Sequence, residues 1–177
     1  MKIRKMLLIL SIFAAAFAVT DLYAKTADLG FRIGKVVAAE ITSAPTEVIS
    51  QEQFPYPLPA KRLYAAVVLK MEKNRSLSSL DYSLVINGAT VPCIAIVCNM
   101  ASFVCSPDVT FPSEKDCARL LFVLDANRIK LPANGKTIRG TLKSNLRGRN
   151  SAALNIVSIG NKNFSDCTKI PADGALK

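Results

Sequence analysis

The chain has 177 residues, half of them apolar, with 23 Lys and Arg against 13 Asp and Glu, five cysteines, and neither histidine nor tryptophan. The lack of histidine excludes Ser-His-Asp and Cys-His catalysis, because both need an imidazole base. Only eight glycines and nine prolines accompany that apolar content, which excludes extended disorder.

At the N-terminus, Lys2, Arg4 and Lys5 precede an apolar run from Met6 to Val19, followed by Leu22-Tyr23-Ala24. This is the plan of a secretory signal peptide over residues 1–24. The apolar run is too short to span a bilayer comfortably, so retention as an uncleaved anchor is the lesser alternative. Export to the periplasm or the extracellular space is therefore expected, with one domain over residues 25–160 and a C-terminal tail over 161–177.

The dominant periodicity beyond the leader is two. In "DLGFRIGKV", Leu29, Phe31 and Ile33 alternate with polar or small residues, and in "RLYAAVVLKMEK" Leu63, Ala65, Val67, Leu69 and Met71 do the same. Both segments read as strands with one buried face. The four prolines of "SAPTEVISQEQFPYPLPAK" make the segment between them a loop or an edge excursion. After a turn at 73–75, "LDYSLVI" alternates into Asn87-Gly88, a dipeptide suited to two successive positive φ values, and "ATVPCIAIV" returns as a hairpin.

"SPDVTFPSEKD" reads as a loop. "ARLLFVLDA" is apolar nearly throughout and suits a central strand covered on both faces. In "KTIRGTLKSNL", Ile138 and Leu142 share one face while Arg139, Thr141 and Lys143 share the other, which predicts a strand with a basic outer face. A turn at 147–150 and a last strand, "SAALNIVSI", follow. About seven short strands without a long amphipathic helix predict an all-β fold, an antiparallel β-sandwich.

The segment "AAVVLKMEKNRSLSSLDYSLVINGATV", with the later "LLFVLDA", resembles immunoglobulin-like β-sandwich domains of bacterial exported proteins over about residues 60–160. That resemblance implies a binding or scaffolding module and carries no catalytic residues across. The chain departs from antibody domains in lacking tryptophan and in where its cysteines stand.

Those cysteines are Cys93, Cys98, Cys105, Cys117 and Cys167. In an exported chain they are expected to form disulfides. Their spacing matches no zinc ribbon or knuckle, so no metal site is expected. Two bridges among Cys93, Cys98, Cys105 and Cys117 are preferred, leaving Cys167 as an odd cysteine able to link a homodimer. Cys93 and Cys98 lie roughly 16 Å apart along a straight strand and can bond only if the chain turns between them.

No motif marks a catalytic residue or a cofactor. "NGKT" at 134–137 lacks the earlier glycine of a phosphate loop and reads as a turn. Among the carboxylates, nothing singles out a glycosidase-like pair.

The electrostatics are more specific. From Ala126 to Ser165 stand Arg128, Lys130, Lys136, Arg139, Lys143, Arg147, Arg149 and Lys162, without a single Asp or Glu. Such segregation creates a positive field over one region, and Arg139, Lys143, Arg147 and Arg149 are the candidate anion-binding residues. The expected partners are an anionic polymer, a membrane surface or an acidic protein. Nucleic acid is not expected, since Phe164 is the only aromatic residue of the segment. The competing account is a solvated face whose cations discourage edge-to-edge aggregation, or a subunit of an envelope assembly.

Overall fold

The computed structural model describes residues 34–43, 57–71, 75–98, 101–104, 109–111, 117–145 and 151–165. The described residues form β1 Gly34–Thr42, β2 Arg62–Met71, β3 Arg75–Leu77, β4 Tyr82–Ile86, β5 Ala89–Pro92, β6 Ala95–Cys98, β7 Ala101–Val104, β8 Val109–Phe111, β9 Cys117–Asp125, β10 Thr137–Ser144 and β11 Ser151–Ser158. A single 3-10 turn, Ser79–Asp81, accompanies them, and there is no α-helix among the described residues. The fold is all-β, as the two-residue alternation predicts.

Nine strands make one sheet in the order β5-β4-β10-β11-β1-β2-β9-β6-β7, and β3 pairs with β8 apart from it. The pairing departs from the expected all-antiparallel arrangement of about seven strands. β1 and β11 run in the same direction, with Glu40 opposite Val157 and Ile41 opposite Ser158. Strands that enter a sheet from the same end can pair only in parallel.

The sheet curls because one extended segment is bonded to two distant parts of it. β5 pairs with β4, Pro92 lying opposite Ser83. The Cys93 N–H then donates to the Tyr82 carbonyl at 3.0 Å, the Ile94 N–H donates to the Leu121 carbonyl at 2.8 Å, and β6 continues along β9. Pro92 has no N–H to give, which suits the point where one ladder ends and the next begins.

The curled sheet encloses one apolar cluster. β2 contributes Leu63, Ala65, Val67 and Leu69, and β9 contributes Ala118, Leu120, Phe122 and Leu124. Tyr82, Leu84 and Ile86 of β4 join them, with Ile41, Ile96, Leu142 and Ile156. Burying each large side chain stabilises the fold by about 1.5–3 kcal/mol. The outer faces of β2 and β9 are covered too, by Leu58, Ile94 and Phe164 against Ala66, Leu121 and Val123. That second cover explains why β9 is apolar from Leu120 to Leu124.

The hairpin signal holds: Asn87 has φ 48° and Gly88 φ 77°, both positive. Elsewhere the strand reading needs correction. β1 begins at Gly34, and the expected alternation of Leu29, Phe31 and Ile33 lies outside the described residues. The returning strand of the hairpin is broken into β5 and β6 at its change of partner, and the short strand β8 occupies the middle of the predicted 106–116 loop. Of the expected tail over 161–177, the structure describes residues 161–165. Phe164 is buried against the sheet and Ser165 is bonded to it, whereas Cys167 lies outside the described residues.

Cys93 and Cys117, the two cysteines whose side chains are described, form no disulfide. Cys93 and Cys117 are both buried thiols, and they sit in separate apolar clusters. The Cys93 thiol donates to the Ala95 carbonyl at 3.3 Å. Cys105 and Cys167 and the side chain of Cys98 lie outside the described residues.

Candidate functional site

β10 alternates as its sequence predicts: Leu142 and Ser144 are buried while Arg139 and Lys143 are exposed. With about 3.3 Å per strand residue, the two cations stand about 13 Å apart along one outer face. Thr141 lies between them. Across the ladder to β11, Arg139 is opposite Asn155, Thr141 opposite Ala153 and Lys143 opposite Ser151. Across the ladder to β4, Thr141 meets Val85 and Lys143 meets Ser83. None of these neighbours is a carboxylate, so the two cations lie beside polar and small apolar groups.

Of the other cations singled out in the sequence, Arg128, Lys130, Lys136 and Lys162 are exposed, whereas Arg147 and Arg149 lie outside the described residues. Arg128 Nε sits 3.7 Å from Asp125 Oδ2. An ion pair that open to solvent contributes little.

Register adds two cations that a segment count misses. Lys35 of β1 lies directly opposite Lys70 of β2. Like charges so placed repel, and the pair extends the positive surface beyond residues 126–165. In the sequence both lysines are hidden, because acids elsewhere in the first part of the chain balance them numerically.

Between β1 and β11 lies a cleft of about 380 Å³, lined by Val36 and Ala39, by Arg139, Gly140 and Thr141, and by Ala153, Leu154 and Asn155. Its origin is the short parallel ladder. The two strands are joined at one end, where the Ile159 N–H donates to the Ile41 carbonyl and the Ser43 N–H to the Gly160 carbonyl, both at 2.9 Å. Thr42 Oγ1 also donates to the carbonyls of Gly160 and Lys162, at 3.0 and 2.7 Å. Toward Gly34 and Ser151 no described ladder joins them. Gly140 keeps the sheet tight beneath the cleft: a Cβ there would lie 2.7 Å from Ile156 Cδ1 and 3.3 Å from the Val85 carbonyl oxygen.

A smaller cleft of about 230 Å³ lies where Leu58 and Pro59 approach β5 and β9, with Asp125 and Arg128 at its edge. Among the described residues no group of three or more His, Cys, Asp or Glu could hold a metal ion.

Two buried polar groups have structural explanations. Glu40, on the outer face of β1, accepts the Ser165 N–H on Oε2 at 2.9 Å and the Ser165 hydroxyl on Oε1. Arg119 donates from Nη2 to the Ser165 carbonyl and lies over the Phe164 ring, 5.5 Å from its centroid. Ser165 thereby ties β1 to β9, and both charged groups are used in holding the C-terminal segment. Tyr82 differs. Its hydroxyl is buried and has no hydrogen-bond partner among the described residues. Burial pushes the phenol well above its ordinary titration range, with Asp81 and Cys93 adding to the effect.

No protein-family model matches the chain, and neither does any curated protein sequence.

Proposed function

We propose that the chain is an exported, non-enzymatic binding module that takes an anionic partner on the outer face of β10. The observation that carries this reading is the pair Arg139 and Lys143, exposed on one face whose cross-strand neighbours include no carboxylate. Cations without competing acids are open to an external anion, such as an envelope polymer, a phospholipid surface or an acidic protein. Arg147 and Arg149 belong to the same basic run of sequence. Export rests on the basic and apolar pattern of residues 1–24.

The strand order supports an immunoglobulin-like reading of the fold. The run β1-β2-β9-β6 has the neighbour order A-B-E-D of such sandwiches, and β11-β10-β4 has the order G-F-C, with β1 and the 89–98 segment passing between the two halves. On this reading the sheet is two faces of a sandwich joined by strands that change sides. Domains of that kind present ligands with faces and edges, consistent with a binding role.

A second reading, a structural subunit of an envelope assembly, draws on β7, which among the described residues ends the strand order and has one ladder, to β6. A terminal strand of this kind is a template for pairing with another chain. The two readings separate by experiment. Binding to polyphosphate that weakens steeply with added salt, and that is lost in Arg139→Gln/Lys143→Gln, supports the anionic partner. Binding that ignores salt, together with oligomers that persist in that variant, supports assembly.

A further inference from the structure

We propose that Cys117 and Cys167 form a disulfide that pins the C-terminal segment to the outer face of the sheet. This bond is independent of the anionic-partner reading, and it gives Cys117 a partner outside the 93–117 group expected from the sequence. The direction of the chain, its reach and the placement of the other cysteines all point to it.

Direction comes from the hydrogen bonds of residues 162–165. The Lys162 carbonyl accepts from Thr42 Oγ1 at the end of β1, and three residues later the Ser165 N–H donates to Glu40, two residues back along that strand. The Ser165 carbonyl accepts from Arg119 Nη2. Across the ladders, Thr42 is level through Tyr64 with Val123 of β9, Glu40 through Ala66 with Leu121, and Ala38 through Val68 with Arg119. The segment therefore travels over the outer face from the Val123 end of β9 toward its Cys117 end.

Reach follows from spacing. Cys117 and Arg119 share the outer face of β9, about 6.6 Å apart along the strand. Cys117 stands there in a buried apolar cluster with Val37, Ala38 and Val68. Cys167 is two residues past Ser165, and two extended residues cover about 7 Å. An extended continuation of the same path brings Cys167 level with Cys117, where Cα atoms about 5.5–6 Å apart suit a disulfide.

The other cysteines fail that geometry. Cys93 precedes Ile94, whose N–H donates to the Leu121 carbonyl. Cys105 follows Val104, which lies opposite Ala95 and through it level with Leu121. Leu121 is about 13 Å along β9 from Cys117, so neither cysteine is near enough to bridge to it. Cys98 pairs with Ala118. Paired residues share a face and successive residues alternate, so this register sets Cys98 and Cys117 on opposite faces.

Cys117 is a thiol in the structure, so closing the bond is an oxidation. The two sulfhydryls give up two protons and two electrons to a low-molecular-weight disulfide. One thiolate attacks that disulfide, forming a mixed disulfide and releasing a first small thiol; the other thiolate then displaces the second. One sulfur–sulfur bond is left in the protein, and the small disulfide is left as two reduced thiols. The closed ring spans residues 117–167 and so encloses the whole basic segment from Arg128 to Lys162.

The test treats the reduced chain without residues 1–24 with oxidised glutathione, alkylates the remaining thiols in denaturant and maps the tryptic peptides by mass. The expected result is a linked pair, residues 116–119 with residues 163–169, in monomeric protein, with loss of alkylation at Cys117. In Cys167→Ser no cross-linked peptide should contain Cys117. A link from Cys117 to Cys93, Cys98 or Cys105 in either protein overturns the proposal. So does Cys117 that stays alkylated or only capped by glutathione in the oxidised parent, and so does Cys167 linked only between chains. The map of the parent decides the matter even where the variant misfolds.

Discussion

The Glu40 carboxylate holds Ser165 from two sides, taking its backbone N–H at 2.9 Å and its hydroxyl. Both residues are far apart in sequence, and their bond fastens the segment after β11 onto the first described strand. Phe164 is buried beside it under Arg119. Phe164→Ala should cost about 3 kcal/mol of unfolding free energy through the cavity it leaves. Glu40→Ala should cost about 2 kcal/mol, because it removes the acceptor from two partly buried donors. Urea unfolding of the two variants measures both losses.

Tyr82 predicts a pH effect whose sign is fixed. The folded protein keeps the phenol neutral to higher pH than the unfolded chain does, so the folded state binds more protons once the pH passes the ordinary tyrosine value of about 10. Its contribution to stability is intact below that pH and is lost as the pH rises above it. Tyr82→Phe removes the titration and also a buried hydroxyl that lacks a described partner. The variant should be more stable than the parent by about 1 kcal/mol at neutral pH, and the gap should widen above pH about 10. Thermal melts at neutral and alkaline pH give both quantities.

Gly140 predicts a coupling. A methyl at this position meets the tip of Ile156 and the Val85 carbonyl, so Gly140→Ala should destabilise by about 1–2 kcal/mol. The nearer obstacle is the end of a flexible side chain, and Ile156→Val removes that atom. The double variant should therefore lose less than the sum of the two single losses, with a coupling of at least about 0.5 kcal/mol. Additive losses would place the strain at the Val85 backbone instead.

Lys35 and Lys70 repel across the β1–β2 ladder. Lys70→Glu should raise stability by about 0.5 kcal/mol at low salt. The gain should shrink as salt is added, because the pair is at the surface. Denaturation midpoints in a salt series test it.

What the sequence revealed was local. Alternation at Leu63, Ala65, Val67 and Leu69, the unbroken apolar run of β9, the Asn87-Gly88 turn and the exposed pair Arg139 and Lys143 all follow from period two and turn chemistry, which act over a few residues. What it hid was partnership. Nothing local to Pro92 announces that the next residues leave β4 for β9, and nothing at Glu40 or Val157 announces a parallel ladder between the first and last described strands. The short β3–β8 pair falls in segments rich in loop residues, where register is set by neighbours and not by pattern. Lys35 and Lys70 vanish in a charge count because only pairing brings them together. The cleft between β1 and β11 is likewise a product of pairing, since its lining comes from three strands spread between Val36 and Asn155.

The account stands on a localised positive face, and a comparison at constant net charge tests it most directly. Two double variants, Arg139→Gln/Lys143→Gln and Lys61→Gln/Lys130→Gln, each remove two exposed positive charges, the first from β10 and the second from outside it. Polyphosphate affinity measured at low salt should fall by roughly tenfold or more in the β10 pair, and by much less in the other. Equal losses in the two variants would mean that overall charge attracts the anion, contradicting a site on β10.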